Sequence, residues 1–373
     1  MDFDLSEMQQ MLTDSARKLI ADAYTVEDLR RQRSIPDGLN RKNWSQFAEL
    51  GWLALPLPED VGGLGCSFED VVVLSRMLGR ALAVEPYVST VVLGGCVLGA
   101  VADADRRKLM LSGIAAGELR IALAHEEQGE RYGDRRARMT SARVVEGGFV
   151  LDGSKMFVVD GPSATHLILS AQFDHGLGLF LVSADADGLT REIYTLVDGA
   201  AAADLVLRDV RVEFDALIVQ GSAAEALISK ACDRANLALM AQAVGAMESA
   251  LEVCCAYIKE RKQFGQPIGK FQALQHIMAD MFVSAHQSRS ILYRALSKID
   301  NDAKERQAAI STAKIVIGEA AQLVSRSGIQ LHGGYGVTDE FIISHHFRRL
   351  LSLEKQFGDI DFHARRLAEH VLG

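Results

Sequence analysis

LALMAQAVGAMESALEVCCAYIKERKQFG, residues 237–265, is the stretch on which the architecture turns. Leu237, Met240, Val244, Met247, Leu251, Cys254 and Ile258 recur at alternating steps of three and four. That spacing holds them on one helix face for about six turns. A second helix carries the rhythm on through Leu274, Ile277, Met281, Ala285, Ser288, Leu292, Ala295 and Ile299. A third is expected over 302–326, and two shorter ones over 339–353 and 355–372. Long antiparallel helices with such stripes pack as a four-helix-type bundle.

Upstream the period falls to two. LRIALAHE, FVLDG, SKMFVVDG, THLILSAQ, LGLFLVSA and DLVLRDVRVEF are short alternating or β-branched runs parted by Gly, Asp and Pro. They predict a small β-domain, a barrel or two packed sheets. Further upstream, 5–23, 41–50, 68–83, 89–101 and 105–115 read as helices around GWLALPLPEDVGGLG (51–65), a Pro- and Gly-punctuated loop. The expected organisation is a multi-domain α+β chain: an N-terminal helical domain over 1–117, a central β-domain over 118–221 and a C-terminal helical bundle over 222–373.

The composition narrows the function. With 49% hydrophobic and 24% charged residues among 373, the chain has the make-up of a globular protein, not of a disordered or fibrous one. Lys plus Arg number 40 against 49 Asp plus Glu, for a net charge of −9, which argues against a nucleic-acid backbone as partner. Cys66, Cys96, Cys232, Cys254 and Cys255 form no CxxC and no metal spacing, which reads as reduced thiols of a cytoplasmic protein. The first ten residues, MDFDLSEMQQ, lack the basic and apolar regions of a secretion signal. The longest apolar run, 90–102, is shorter than the roughly 20 residues that span a bilayer, so no membrane insertion is expected.

No GxGxxG follows a strand, and there is no Walker loop, GxSxG or HExxH. His345 and His346 are adjacent and fall on different helix faces, with His363 far along the chain, so no metal site is expected. Two clusters stand out. Arg261, Lys262, Gln263, Phe264 and Gly265 close the first long helix, where Gly265 reads as a helix stop and a guanidinium beside free helix N–H groups would seat a pyrophosphate. Gln330, Leu331, His332, Gly333, Gly334, Tyr335 and Gly336 read as an interhelical turn whose glycines let a ligand approach the backbone.

These clusters, with Gly51-Trp52-Leu53, Pro58-Glu59, Gly62-Gly63-Leu64-Gly65, Leu78-Gly79-Arg80 and Leu151-Asp152-Gly153-Ser154-Lys155, make the chain resemble the acyl-CoA dehydrogenase family over nearly its full length. The resemblance implies that family's three-part fold and FAD as cofactor. It implies acyl-CoA as substrate, with a carboxylate taking the α-proton while the β-hydride passes to the flavin, and electron-transfer flavoprotein as electron acceptor. Arg261, Gln263 and Phe264 would touch FAD across a subunit interface, with Gln330, Gly333 and Gly334 at the cofactor's far end.

The sequence departs from its relatives at the flavin and at the base. The flavin-covering strand reads Ala124-His125-Glu126-Glu127-Gln128-Gly129, so His125 replaces a hydroxyl. The Trp-x-Thr of relatives appears as Phe157-Val158-Val159, where Phe157 can stack on a flavin and Val159 cannot hydrogen-bond it. Gly358 stands where most relatives carry the catalytic glutamate, Ala235 where a subset does, and Asn236 where an arginine is common. Asp359 is the remaining candidate base. Two readings stay open: a self-sufficient dehydrogenase using Asp359, or the degenerate partner of a heteromeric enzyme. The second is similar to the small subunits of bacterial pimeloyl-CoA and steroid side-chain acyl-CoA dehydrogenases, which assemble as α2β2 tetramers; a homo-oligomer goes with the first. A flavin-dependent oxidase or monooxygenase on the same fold, and a ligand-free structural subunit, complete the alternatives. Arg131, Arg135, Arg136 and Arg138 read as a solvated loop with a CoA phosphate as the functional alternative.

Overall fold

The structure is a computed structural model that describes residues 5–129, 132, 139–174 and 176–372; the four arginines over 131–138 lie outside the described residues. In chain order come α1 (Glu7–Ala23), α2 (Val26–Gln32), α3 (Arg41–Glu49), α4 (Phe68–Ala81), π-helical turns over Val88–Gly94 leading into α5 (Gly95–Leu98), and α6 (Ala104–Ala115). Strands follow: β1 (Ile121–Ala124), β2 (Ser141–Val145), β3 (Gly148–Val159), β4 (His166–Phe173), β5 (Gly176–Ser183), β6 (Leu189–Thr195), β7 (Ala201–Glu213) and β8 (Leu217–Gln220). Then come α7 (Ser222–Glu260), a hairpin of β9 (Lys262–Gln263) and β10 (Gln266–Pro267), α8 (Gln272–Leu296), α9 (Ala303–His332), α10 (Ile342–Lys355) and α11 (Ile360–Leu372). The helical, β, helical order is the one the two periods predict.

The chain divides into two compact units, one of 1–31, 68–83 and 236–373, the other of 32–67 and 84–235. In the first, Leu237, Met240, Val244, Met247, Cys254 and Ile258 of the α7 stripe are all buried. Each such side chain contributes about 1.5–3 kcal/mol on leaving water. α8, α10 and α11 all pack on α9. α7 is long and apolar enough to cross a membrane by length and composition, but 72% of its most apolar window is buried inside the protein. That is the pattern of a core helix. α1 opens with a capping box: Ser6 Oγ accepts from the Gln9 N–H, and the Gln9 side chain accepts from the Ser6 N–H.

α4 crosses α7 at backbone contact. A Cβ at Gly79 would lie 1.9 Å from the Gln242 carbonyl oxygen, and one at Gly245 1.9 Å from that of Arg76. Arg76 Nε pairs with Glu248 at 2.9 Å beside this crossing. Gly79→Ala is therefore expected to destabilise the protein by about 1–3 kcal/mol through forced separation of the two helices. The check is a lowered urea midpoint at unchanged slope; wild-type stability would contradict the contact.

In the second unit the strands run in the order β6-β7-β3-β2-β4-β5-β8, with β1 on β4, as one eight-stranded sheet among the described residues. The runs FVLDG and SKMFVVDG, read apart in the sequence, are one strand, β3, whose register on β7 shifts between Leu151 and Gly153 and again between Lys155 and Val158. The bulges explain why the alternation looked broken there. Phe149 meets Phe180 in the core, the half-buried Phe173 and the exposed Phe214 edge-on at 5.3–5.5 Å. β1 runs parallel to β4 with Ala124 opposite Leu169, so the next residues in register are His125 and Ser170. The loop expected over 51–65 contains two short 3-10 turns, Trp52–Ala54 and Glu59–Val61.

Candidate functional site

Arg261, Gln263 and Phe264 sit on the β9–β10 hairpin directly after α7. Gly265 is not the stop of that helix. α7 ends at Glu260, and Phe264 (φ 51) with Gly265 (φ 79) forms the two-residue left-handed turn that joins the paired strands. The reason is geometric: a two-residue hairpin needs positive φ at both central residues, so Phe264 adopts a conformation its own preference disfavours. The turn thrusts Phe264 into solvent, 91% exposed, against the edge of Phe271 at 6.0 Å.

Gln330 is also not in a turn, because α9 runs on to His332, past the expected end at 326. Gly333 follows with φ 60 and ψ −139, a conformation that side chains other than glycine rarely adopt. A Cβ on Gly333 or Gly334 would meet no atom within 4 Å. The ends of α7 and α9 meet where the rings of Tyr257 and His332 lie 4.1 Å apart, with Phe341 and Tyr335 completing an aromatic cluster. The His332 ring N–H at Nδ1 donates to the Gly328 carbonyl at 2.7 Å, leaving Nε2 as a buried acceptor without a partner among the described residues. Burial holds this imidazole below the ordinary histidine pKa.

In the β-rich unit, Phe157 stands at the second bulge of β3 with φ 53 and is 36% exposed. Asp204 fixes it by accepting from the Phe157 N–H at 2.9 Å and from the Tyr194 hydroxyl at 2.8 Å. Burial, then Asp204, pushes the Tyr194 phenol pKa up. His125 leaves the end of β1 and its Nδ1 meets Ser170 Oγ at 2.9 Å. Beneath it lies an ion pair the sequence reading did not find: Lys155 Nζ donates to Glu127 Oε1 at 2.6 Å, with 0% and 2% of the two side chains exposed. Glu127 also accepts from the backbone N–H groups of Met139 and Thr140. Burial works against its charge, but Lys155 and these donors win and hold its pKa below the usual range. The available signal was a lysine inside the strand run SKMFVV.

Asp359 caps α11. Its Oδ1 accepts from the Phe362 N–H at 2.9 Å and Oδ2 lies 3.7 Å from Lys355 Nζ, and the residue is buried. Gly358 beside it has φ 108, and a Cβ there would fall 2.5 Å from the Phe362 ring and 2.7 Å from His363 Nε2. Asn236 bridges Lys314 and the same turn: its Oδ1 accepts from Lys314 Nζ at 3.1 Å and its Nδ2 donates to the Phe357 carbonyl at 3.2 Å. Lys314 also donates to the carbonyls of Leu353 (3.2 Å) and Gln356 (2.7 Å), the last turn of α10. Burial pushes the Lys314 ammonium pKa down to about 7 against the pull of Glu354 and Asp359. The three acceptors match the three N–H bonds of the charged form. Lys314 and Glu354 line a cavity of only about 10 Å³ with Leu239, Met240, Ile317 and Leu353, room for roughly one water. Lys314 too was missed, although the 310, 314, 317, 321 spacing puts it on the apolar face of α9.

Comparison with known proteins bears on the chain as a whole. The family model "Acyl-CoA dehydrogenase, N-terminal domain" matches residues 6–118, and "Acyl-CoA dehydrogenase, C-terminal domain" matches 226–372. A solved variant of the Tcur3481–Tcur3483 steroid ACAD is 30% identical, with 98% of each chain covered and a TM-score of 0.88. The 3-(aryl)acrylate reductase of Clostridium sporogenes is 28% identical over 338 residues, 88% of this chain and 89% of that one. The ChsE4–ChsE5 complex from Mycobacterium tuberculosis shares the fold, with a TM-score of 0.91 at 24% identity over 100% and 99% of the two chains. The chain belongs to the acyl-CoA dehydrogenase family. It is an oxidoreductase acting on acyl-CoA, and its cofactor is FAD. The residues present fit that cofactor's chemistry: an exposed cation at Arg261, an amide at Gln330, open backbone at Gly333 and Gly334, and aromatic rings at Phe264 and Phe157.

Proposed function

We propose that this chain is the partner subunit of a heteromeric acyl-CoA dehydrogenase that introduces an α,β double bond into an acyl-CoA thioester, its catalytic base residing on the other subunit. The observation that carries this reading is the state of the base positions. Gly358 lies in a turn that a side chain cannot enter, Ala235 is buried without a carboxylate, and Asp359 is engaged as a helix cap. Lys314 and Glu354 line a water-sized cavity, where an acyl chain has no room. The steroid ACAD relative carries two protein names, as a two-component enzyme would.

In such an assembly the bound flavin supplies the hydride acceptor. Arg261 and Gln263 would hold its phosphates, Phe264 would stack on its adenine across the interface, Gln330, Gly333 and Gly334 would receive its far end, and Phe157 would flank the ring system. The proposed location is the cytoplasm, on the reading of the five cysteines as reduced thiols. The proximate electron acceptor would be an electron-transfer flavoprotein.

The test is purification alone and with a sister dehydrogenase subunit encoded beside it. The expected result is a chain without stoichiometric FAD by itself, and a yellow complex that reduces a ferricenium dye with acyl-CoA. Asp359→Asn, which keeps the helix cap, should leave the complex's turnover within about twofold. A yellow, active chain without a partner, or loss of turnover in Asp359→Asn, would overturn the heteromer reading.

A further inference from the structure

Between Lys155, opposite Leu205, and Val158, opposite Ala203, β3 has two residues where β7 has one. The two are Met156 and Phe157, and the one is Asp204, which is the count of a bulge. Strict alternation from the buried Lys155 would send Phe157 into the core of the β-rich unit and Val158 out of it. The extra residue reverses that order. Val158 is fully buried, while Met156 and Phe157 are 37% and 36% exposed.

The bulge also takes the Phe157 N–H off the β3–β7 ladder and leaves the residue at φ 53, a conformation that phenylalanine disfavours. Asp204, the residue facing the bulge, supplies an acceptor in place of a ladder carbonyl. Its Oδ1 accepts from the Phe157 N–H at 2.9 Å and from the Tyr194 hydroxyl at 2.8 Å. The register explains the second bond. Asp204 pairs with Glu192 on β6, so Tyr194 stands at its diagonal, within reach of a long aromatic side chain. Burial, then Asp204, pushes the phenol pKa up, so Tyr194 stays a donor across the neutral range.

We propose that Asp204, braced by Tyr194, is the positioning residue for Phe157 and fixes how that ring is offered to the flavin. The inference rests on the reading that Phe157 flanks the cofactor's ring system, and not on the heteromer assignment. A ring that packs on another acts through its distance and tilt, so the support that sets the backbone at the bulge sets the contact. Asp204 and Tyr194 act through Phe157. Because one oxygen accepts both bonds, asparagine, which presents the same Oδ1, is an adequate replacement, and alanine, which presents none, is not.

The experiment is fluorine NMR of the full-length chain grown with 4-fluorophenylalanine, the Phe157 signal among 15 phenylalanines being assigned by its loss in Phe157→Leu. The wild type should give one resolved signal displaced from the position of the unfolded chain. Asp204→Ala should move it toward that position with the far-ultraviolet circular dichroism unchanged. Tyr194→Phe should move it the same way by a smaller amount, and Asp204→Asn should restore it. A signal unmoved in Asp204→Ala, or in Tyr194→Phe should the alanine variant not fold, overturns the proposal, and so does failure of Asp204→Asn to restore it. The second readout is the visible circular dichroism of bound flavin, taken on whichever preparation holds it, the chain alone or the complex. Asp204→Ala should change that band, and Asp204→Asn should leave it as in the wild type. A displaced fluorine signal with an unaltered flavin band sets Phe157 apart from the cofactor, and overturns the positioning role through that reading while the support at the bulge stands.

Discussion

Lys155→Met is expected to destabilise the β-rich unit by about 3–5 kcal/mol, because it strands a carboxylate that has no access to water. The Glu127 side chain is 2% exposed and its ammonium partner 0% exposed. Two backbone donors, from Met139 and Thr140, remain after the substitution and reduce the damage without neutralising the charge. The double variant Lys155→Met with Glu127→Leu should recover part of the loss, since a buried pair replaced as a whole is far less harmful than one broken in half. The measurement is urea unfolding of wild type, both single variants and the double variant. A loss under about 1 kcal/mol for the single lysine replacement would put the pair in the class of surface ion pairs and contradict its burial. The pair also has a pH signature. The folded pKa of Glu127 lies below its ordinary 4.5, so its contribution is complete above that value and fades as pH falls through the lower folded pKa.

Acid should unfold the helical unit well before it protonates most carboxylates. Burial, joined by the charges of His345 and Arg80, drives the pKa of His346 down to about 3, and neither of its ring nitrogens meets a partner of good geometry among the described residues. His363 is likewise held at about 3 by burial first and then by Lys314 and Arg366; its ring bonds Ser311 and the Phe357 carbonyl as a neutral group. Both pKa values lie below the unfolded 6.5, so the unfolded chain binds two more protons across that window. Stability is therefore full above pH 6.5 and falls as pH drops toward 3, by about 1.4 kcal/mol per pH unit for each histidine. Denaturation series between pH 4 and 7 measure the slope. His346→Leu should remove about half of it, and a pH-independent midpoint in the wild type would show that neither imidazole is buried uncharged.

The sequence carried the fold further than the site. Helix stripes and strand alternation are one-dimensional records of burial, so Leu237 to Ile258 and the runs around β4 and β5 were readable directly. The continuity of β3 was not, because two bulges break the alternation that marks a strand. Phe264 misled for a related reason: basic residues followed by glycine fit a helix end, while the tight hairpin needs a left-handed phenylalanine that no propensity suggests. Lys155 and Lys314 escaped because most of what Lys314 binds is backbone carbonyl at Leu353 and Gln356, and Lys155's partners lie outside its own strand, on β4 and in the segment after β1. Asp359 was visible as a carboxylate, and its place just before an amphipathic run was also the mark of a helix cap. Type and position were legible; what each group is bonded to was not.

The helical unit is assembled from three separated pieces of chain, 1–31, 68–83 and 236–373, while every residue of the other unit lies between 32 and 235. A ribosome that has just released residue 235 has delivered the whole of the β-rich unit, but of the helical one only its two short early pieces. α1 and α4 pack on each other, but the face of α4 that crosses α7 must then wait until residues 236–260 emerge. Synthesis therefore has a vulnerable interval between the two, and chaperone dependence or aggregation in a heterologous host is to be sought there, in nascent chains stalled before α7 is complete.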